Sequence, residues 1–290
     1  RATTLHSLCF GLLSQQGVFE FTGRNPRPLL SFEVKYLEID LATKYGGKRE
    51  VRRLLGAYEA AWARLQTDVP GGPADQIDAA FHADVLGWLR FHHAMLIGEL
   101  IPLTLDFASR NPASDLIPAF SHVLVDEYQD LNRGEQELVG RLAQKGSLTV
   151  IGDDCQSIYS FRHANPEGIR TFVADNPGAT ARTIEECRRC PPNIVAMSNA
   201  LIAHEPSRTR DVPLTPVAGR EDATVYVVQH GTPQDEVRNL ADYIAHFLAT
   251  NPGTPAGQVL VLAPRRFIGN ALRDELIDRG LNSMSYFAED

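Results

Sequence analysis

The stretch VLVDEYQDLN, residues 123–132, decides the fold of this chain, because an apolar run in it ends abruptly in two acids. Residues 123–125 are short, apolar and partly β-branched, which predicts a buried strand. Asp126 and Glu127 follow at once. Open α/β sheets bind ligands at the carboxyl ends of their strands. The stretch therefore predicts a strand that delivers two carboxylates to a crevice.

A second apolar run, residues 148–151, ends in the Gly-Asp-Asp of residues 152–154. Between the two runs, residues 134–144 carry apolar side chains at helical spacing. The order strand, helix, strand predicts a parallel sheet with a helical crossover.

The segments on either side have other patterns. Residues 48–100 carry apolar side chains at helical period, interrupted by Pro-Gly-Gly-Pro at residues 70–73. This pattern predicts a helical insertion that contains no strands. The aromatic rings of this segment are expected to form an ordinary core. A second αβ unit begins near residue 222, with a hydroxyl, a proline and an acid placed to open a helix at residues 232–235. The other elements predicted in this unit are strands over residues 225–228 and 259–262 and a last helix over residues 268–280.

The composition fits a globular protein of two domains, with 290 residues, 43% hydrophobic and 22% charged. The net charge of −8 argues against a chain that coats nucleic acid nonspecifically, although it leaves room for a local basic groove. No apolar stretch approaches the roughly 20 residues that cross a bilayer, and no secretion signal opens the chain. Four cysteines without a dense framework suit a reducing cytoplasm, which is the predicted location.

Two long strings carry a resemblance to a known family. VLVDEYQDLN is followed by TVIGDDCQSIYSFRHA, residues 149–164. In this order and at this separation they resemble the second and third motifs of the UvrD/Rep-like superfamily 1 DNA helicases. The resemblance implies an α/β fold: a RecA-like P-loop NTPase parallel sheet with a helical insertion, followed by the start of a second RecA-like lobe. The first lobe would comprise residues 1–20 and 100–205, the insertion residues 21–99 and the second lobe residues 206–290, with a hinge at residues 205–220.

The resemblance also implies ATP and Mg²⁺ as cofactors and assigns residues to them. Asp126 would hold the Mg²⁺ and Glu127 would act as the catalytic base. Gln129 and Asp130 complete the motif at the nucleotide. Gln156 would sense the γ-phosphate, because an amide can bind a phosphate oxygen before hydrolysis and lose it afterwards.

Two arginines extend this predicted site, each with a neighbouring arginine as a second candidate. The string TIEECRRCPPNIV, residues 183–195, resembles the fourth motif of the family, and aligning it places the arginine finger on Arg189, with Arg188 as the alternative. Arg265 and Arg266 follow the run at residues 259–262 and are candidates for nucleotide or DNA contact, with Arg265 assigned to the nucleotide. A solvated strand exit is an equal alternative for both.

The predicted partners are single-stranded DNA and duplex–single-strand junctions, with no membrane and with protein partners from a repair or defence complex. By resemblance, Tyr159 and Phe161 stack on bases and Arg162 supports them. The alternative is that both rings are core aromatics. Thr4 and His6 match a Thr-Phe-His-Ser motif whose side chains lie along the DNA strand in the family.

The chain departs from the family in one large respect: no G-x-x-x-x-G-K-S/T string occurs in it. In the family that loop lies upstream of the element matched by Thr4, and the last two motifs would lie beyond residue 290. The resemblance thus implies an internal segment of a longer protein.

We predict that the 290-residue chain alone does not hydrolyse ATP, because the missing loop supplies the amides and the lysine that cradle the phosphates. Phosphate release from the purified chain measures this directly. Turnover at the ordinary level of the family would refute the prediction.

Smaller departures involve cysteine and histidine. Cys187 and Cys190 form a C-x-x-C. A zinc site needs four ligands and a thioredoxin-like role needs another context, so two thiols at a helix entry are the favoured interpretation. Cys155 stands where Asp or Pro is usual, and His163, where glycine is common, is expected to be a surface histidine with its polar atoms satisfied.

Three functions remain open from the sequence. The first is a 3′→5′ translocase or helicase on DNA. The second is the helicase subunit of an AddA/RecB-like helicase–nuclease, which a linked nuclease domain would reveal. The third is a catalytically silent module that binds DNA or a partner. The joint presence of Asp126, Glu127, Gln156 and Arg189 argues against the third.

Overall fold

The computed structural model describes residues 2–24, 27–66, 76–205 and 213–285, with the backbone alone for residues 76–78. The predicted break at residues 70–73 and part of the predicted hinge, residues 206–212, lie outside the described residues. The chain divides into two compact units, Arg1–Glu221 and Asp222–Asp290, which are described separately.

The first half of the larger unit is helical. Its described helices pack around two clusters of buried side chains, one of which contains Tyr58, Trp62 and Phe81. The prediction of a helical segment with core aromatics is therefore confirmed. The helices are α1 (Leu5–Leu13), α2 (Gln16–Thr22), α3 (Ser31–Ala42), α4 (Lys48–Arg64), α5 (Gln76–Phe91) and α6 (Leu100–Arg110).

The predicted strand–helix–strand unit is present. Strand β1 (His122–Val125) pairs in parallel with β2 (Ser147–Val150), and α7 (Arg133–Leu142) crosses between them. The helix begins where it does because Asn132 and Glu135 form a reciprocal capping box, in which each side chain accepts the other's backbone N–H. Leu138 and Leu142 of α7 then join the core of α1 and α6.

The rest of the larger unit is made of short elements. Two small helices, α8 (Glu167–Arg170) and α9 (Phe172–Asp175), follow β2. Strand β3 (Glu186–Cys187) pairs in parallel with β4 (Thr215–Pro216), and α10 (Pro192–Ile202) lies between them in sequence. The described part of the chain is thus a mixed α/β fold, rich in helix, with two small parallel sheets. The RecA-like P-loop sheet stays a prediction.

The smaller unit contains α11 (Pro233–Thr250) and α12 (Arg266–Asp278). The side chain of Thr232 caps α11 by accepting the N–H of Asp235, as predicted. The predicted strands over residues 225–228 and 259–262 are wrong, because neither run pairs with another strand in the described residues. A strand needs a neighbouring backbone for its hydrogen bonds, and an apolar run alone does not supply one.

None of the helices in the described ranges is both long enough and apolar enough to cross a membrane.

Candidate nucleotide and DNA site

The two predicted acids lie in a strained turn at the carboxyl end of β1. Asp126 and Glu127 are both exposed. The backbone N–H of Glu127 donates to Oδ1 of Asp126 over 3.0 Å. Glu127 has a φ of 53°, in the left-handed region that a glutamate rarely adopts. Strain of this kind persists only where the surroundings impose it, and it clusters at functional sites.

The side chain of Gln129 links the acidic turn after β1 to the residues that follow β2. It is only 1% exposed. Its Nε2 donates to Oε2 of Glu127 over 2.7 Å, and its Oε1 accepts the backbone N–H of Asp153 over 3.1 Å. Because both ends of its amide are engaged, Gln129 fixes the position of Glu127 relative to the end of β2. A direct contact of Gln129 with nucleotide stays a prediction.

Asp153 carries the bridge on to Gln156. Its Oδ1 accepts the N–H of Cys155 over 3.1 Å, and its Oδ2 accepts Nε2 of Gln156 over 3.0 Å. Hydrogen bonds therefore run without a break from Glu127 through Gln129 and Asp153 to Gln156. Asp153 has no role predicted from the sequence, although its place directly after Gly152 at a strand end is a usable signal.

Gly152 lets the two motifs approach each other. A Cβ at this position would lie 2.3 Å from Oε1 of Gln129, 2.8 Å from Cδ1 of Ile169 and 3.2 Å from the backbone nitrogen of Tyr128. No side chain fits there without displacing the buried amide of Gln129.

We expect Gly152→Ala to lower the free energy of unfolding by about 1–3 kcal/mol, the usual cost of overpacking a close contact. Urea unfolding followed by tryptophan fluorescence measures it. Gly140→Ala is the matched control, because a Cβ there meets nothing within 4 Å and alanine favours the middle of α7. The control should stabilise the chain by about 0.5–1 kcal/mol. If both substitutions changed the free energy of unfolding in the same direction, the proposed close approach at Gly152 would be contradicted.

Asp130 lies beside this bridge in a partly buried position. Its Oδ1 is buried and accepts no hydrogen bond from the described residues. Burial raises the pKa of Asp130, the nearby Glu127 adds to the increase, and the positive charge of Arg162 opposes it. Asp130 thus connects the acidic turn electrostatically to the arginine of the third motif.

The aromatic residues of the third motif are at the surface. Tyr159 is 37% exposed and Phe161 is 74% exposed, with ring centroids 5.8 Å apart. The guanidinium carbon of Arg162 lies 5.9 Å from the centre of the Tyr159 ring, within cation–π range. Neither ring is a core aromatic, and the trio presents two π surfaces and a positive charge to solvent.

His163 follows this trio and differs from its prediction. Its Nδ1 is buried and has no hydrogen-bond partner in the described part of the chain, so the expectation of a satisfied surface histidine is wrong. Its φ of 62° is left-handed, which explains why glycine suits the position. Burial, together with the charge of Arg64, lowers the pKa of His163.

Thr4 and His6 lie at the start of α1. The side chain of Thr4 accepts the N–H of Ser7 over 3.2 Å and so caps the helix. Nδ1 of His6 is 3.7 Å from Oε1 of Glu135, the acid of the capping box that opens α7. His6 is therefore close to the helix that follows the acidic turn, while the contact of Thr4 and His6 with DNA stays a prediction.

A buried ion pair that the sequence analysis missed supports the end of β2. Asp154 is only 8% exposed, and its Oδ2 is 2.9 Å from Nε of Arg170 in α8. Asp153, Asp154 and Cys155 form a group of potential metal ligands, with the ligand atoms within 4.8 Å of one another. Because Asp154 is engaged by Arg170, this group is primarily a structural feature. Asp126 is outside it, and the metal role of Asp126 stays a prediction.

The two arginines of the fourth motif differ in their contacts. Nε of Arg188 is 2.7 Å from Oε1 of Glu186, whereas the guanidinium of Arg189 has no ion pair in the described residues. The carbonyl of Arg189 accepts Nη1 of Arg220 over 2.6 Å. No hydrogen bond or ion pair between described residues joins Arg189 to the acidic turn. Cys187 lies in β3, so of the two thiols only Cys190 is at a helix entry.

Arg265 lies in the smaller unit. It is exposed and occupies the position just before the first residue of α12. Its contact with nucleotide stays a prediction.

Part of the chain matches the model of a known domain family. Residues 81–177 match the model of the UvrD/REP helicase N-terminal domain. The chain is 36% identical over 199 residues to the ATP-dependent DNA helicase UvrD1 of Mycobacterium leprae, an alignment that covers 64% of this chain and 25% of that protein.

Two further relatives agree. The chain is 31% identical over 169 residues to the ATP-dependent DNA helicase PcrA of Bacillus subtilis, covering 56% of this chain and 23% of the relative. It is 37% identical over 108 residues to DNA helicase II of Escherichia coli, covering 37% of this chain and 15% of the relative. The alignments thus span a quarter or less of these relatives. The matched segment and these relatives thus make the chain similar to the UvrD, PcrA and Rep helicases over about half of its length.

Proposed function

We propose that this chain is the part of an ATP-dependent, 3′→5′ DNA helicase that links ATP hydrolysis to a grip on single-stranded DNA. The observation that carries the proposal is the unbroken set of hydrogen bonds from Glu127 through Gln129 and Asp153 to Gln156. Three residues after Gln156 comes the exposed aromatic pair. Chemistry at the acidic turn and binding at the rings are therefore mechanically close.

In this proposal the acidic turn belongs to a RecA-like lobe and acts on ATP. Exposed carboxylates at a strand end suit Mg²⁺, which prefers oxygen ligands and retains several waters. Asp126 would hold that ion, which supplies charge neutralisation at the phosphates when it is bound. Glu127 accepts a proton from the attacking water, and Gln129 keeps its carboxylate oriented.

Gln156 responds to the γ-phosphate. Its amide is held by Asp153, so a change in its contact with phosphate pulls on the same hydrogen bonds that position Glu127. Loss of the γ-phosphate releases this pull. Such release of a segment after hydrolysis is a common route from nucleotide state to movement.

Arg189 supplies the positive charge at the transferred phosphate. It is favoured over Arg188 because the guanidinium of Arg188 is already paired with Glu186. An arginine that stabilises the transition state needs its guanidinium free for phosphate oxygens. Arg265, exposed at the start of α12, is the residue of the smaller unit that we propose binds nucleotide.

Tyr159 and Phe161 grip the DNA strand. Their exposed rings offer the stacking surfaces that bind bases without regard to sequence, worth roughly 1–3 kcal/mol per base. Arg162 stays on the Tyr159 ring and adds charge for the backbone. Thr4 and His6 extend the track along the strand.

The DNA grip is tested with Phe161→Ala in the complete gene product. We expect weaker binding of a fluorescent oligothymidylate and a higher DNA concentration for half-maximal stimulation of ATP turnover. Phe91→Ala is the matched control, since that ring is also exposed, at 79%, but lies on α5 outside the motif. Equal DNA affinity in the two variants would refute the assignment of Phe161.

A further inference from the structure

The two cysteines of the fourth motif form a pair that the proposed hydrolysis does not use. Cys187 ends β3, and Cys190 lies directly before Pro191, the N-cap of α10. Both thiols are free and partly buried. Only two residues separate them, at a bend between β3 and α10, and each thiol affects the pKa of the other.

The surroundings of the two sulfurs are unequal. The backbone N–H groups of Cys190 and Arg189, which face the sulfur of Cys187, lower the pKa of Cys187. Burial, followed by the contact with Cys187, raises the pKa of Cys190, while the charges of Arg189 and Arg220 oppose the increase. The bend thus holds a thiol with a lowered pKa near a thiol with a raised pKa. Cysteine reactivity follows the thiolate, so this arrangement suits an attacking and a resolving partner.

We propose that Cys187 and Cys190 are a dithiol site that reacts with low-molecular-weight disulfides and closes to an intramolecular disulfide. The Cys187 thiolate attacks one sulfur of the small disulfide, forms a mixed disulfide and expels one thiolate. Cys190 loses its proton to solvent and attacks the Cys187 sulfur, which forms the Cys187–Cys190 bond and expels the second thiolate. The two cysteine thiols are oxidised and the small disulfide is reduced to two thiols.

The other two cysteines provide internal comparisons. Cys9 is fully buried, and burial raises its pKa to about 11, so it is protected from exchange. Cys155 is partly buried, and its sulfur is 3.9 Å from Oδ1 of Asp154. Neither belongs to the C-x-x-C, so we expect the reaction to be selective for Cys187 and Cys190 within the chain.

The disulfide would act on the residues that it encloses. Closing the bond makes a small ring that contains Arg188 and Arg189, next to the carbonyl of Arg189 that binds Arg220. Under the proposed function, on which this one consequence rests, oxidation would restrict the arginine that serves the phosphate. The proposed reaction of the two thiols does not depend on the proposed function.

The site is tested on the 290-residue chain under native conditions with oxidised glutathione as the probe. After quenching with N-ethylmaleimide, peptide mass spectrometry should show a Cys187–Cys190 disulfide, with Cys9 alkylated only after unfolding and Cys155 still alkylatable. Dithiothreitol should restore both thiols. A chain in which the pair keeps both thiols, or in which the disulfide forms only in denaturant, would overturn the proposal.

Single variants separate the two roles. Cys190→Ser should stop the reaction at a glutathione adduct on Cys187, whereas Cys187→Ser should leave Cys190 largely unreacted. Cys155→Ser is the matched control and should react as the unchanged chain does. Preferential glutathionylation of Cys190 would overturn the assignment of the attacking thiol. The readouts use neither nucleotide nor DNA, so failure here and failure of the proposed function are distinguishable.

Discussion

Replacing Glu127 with glutamine in the complete gene product should lower ATP turnover by a factor of about 10²–10⁴, the usual contribution of a positioned general base. The amide cannot accept a proton from the attacking water. It can still accept the hydrogen bond from Nε2 of Gln129, which in the unchanged chain measures 2.7 Å. The substitution therefore removes the chemistry and leaves the bridge of hydrogen bonds in place. Steady-state phosphate release in the presence of single-stranded DNA measures the effect.

The control for this variant is Glu137→Gln. Glu137 is an acid of α7 with its side chain 48% exposed, and it pairs with Arg141 at the surface. Turnover of this control should match that of the unchanged protein. Nucleotide binding, measured with a fluorescent ATP analogue, should persist in both variants. A Glu127→Gln enzyme with ordinary turnover would exclude Glu127 as the base.

The sequence was sufficient for the part of the fold that positions the acids. The apolar runs before Asp126 and before Gly152 became the paired strands β1 and β2, and the intervening helical pattern became α7. Each of these elements has a strong local signal in the sequence. The strands are short apolar runs that end at acids or glycine, and the helix has apolar side chains at helical spacing. Local signals also gave the cap at Thr232.

The sequence was insufficient where the outcome depends on a partner. Residues 225–228 and 259–262 have strand-like runs, yet they form no strand in the described residues, because pairing depends on a neighbour that composition does not specify. The hydrogen bond between Gln129 and Asp153 also depends on a partner elsewhere in the chain. It joins residues 24 positions apart through a backbone N–H, and no property of either residue type reveals it.

The ion pair of Arg24 and Glu99 is a further long-range contact without a sequence signal, 75 positions apart. Nη2 and Nη1 of Arg24 donate to the two carboxylate oxygens over 2.8 and 3.2 Å. The side chains are only 3% and 5% exposed. Glu99 also accepts the N–H of Leu96 over 2.8 Å, so the buried carboxylate is well satisfied.

Glu99→Gln should lower the free energy of unfolding of the larger unit by about 3–5 kcal/mol, because it leaves the guanidinium of Arg24 buried without its anion. Both tryptophans, Trp62 and Trp88, lie in this unit, so urea unfolding followed by their fluorescence reports on it alone. Glu50→Gln is the control. Its pair with Arg53 is at the surface, with side chains 43% and 64% exposed, and its loss should hardly move the unfolding midpoint.

A double variant identifies the origin of this cost. If the penalty comes from the stranded charge, Arg24→Met combined with Glu99→Leu should be more stable than Glu99→Gln, because apolar side chains of similar volume need no counter-ion. If the penalty came instead from lost attraction, the double variant would be no more stable than the single one. Since desolvation of an unpaired buried charge outweighs the net gain from a buried pair, we expect the double variant to recover most of the loss.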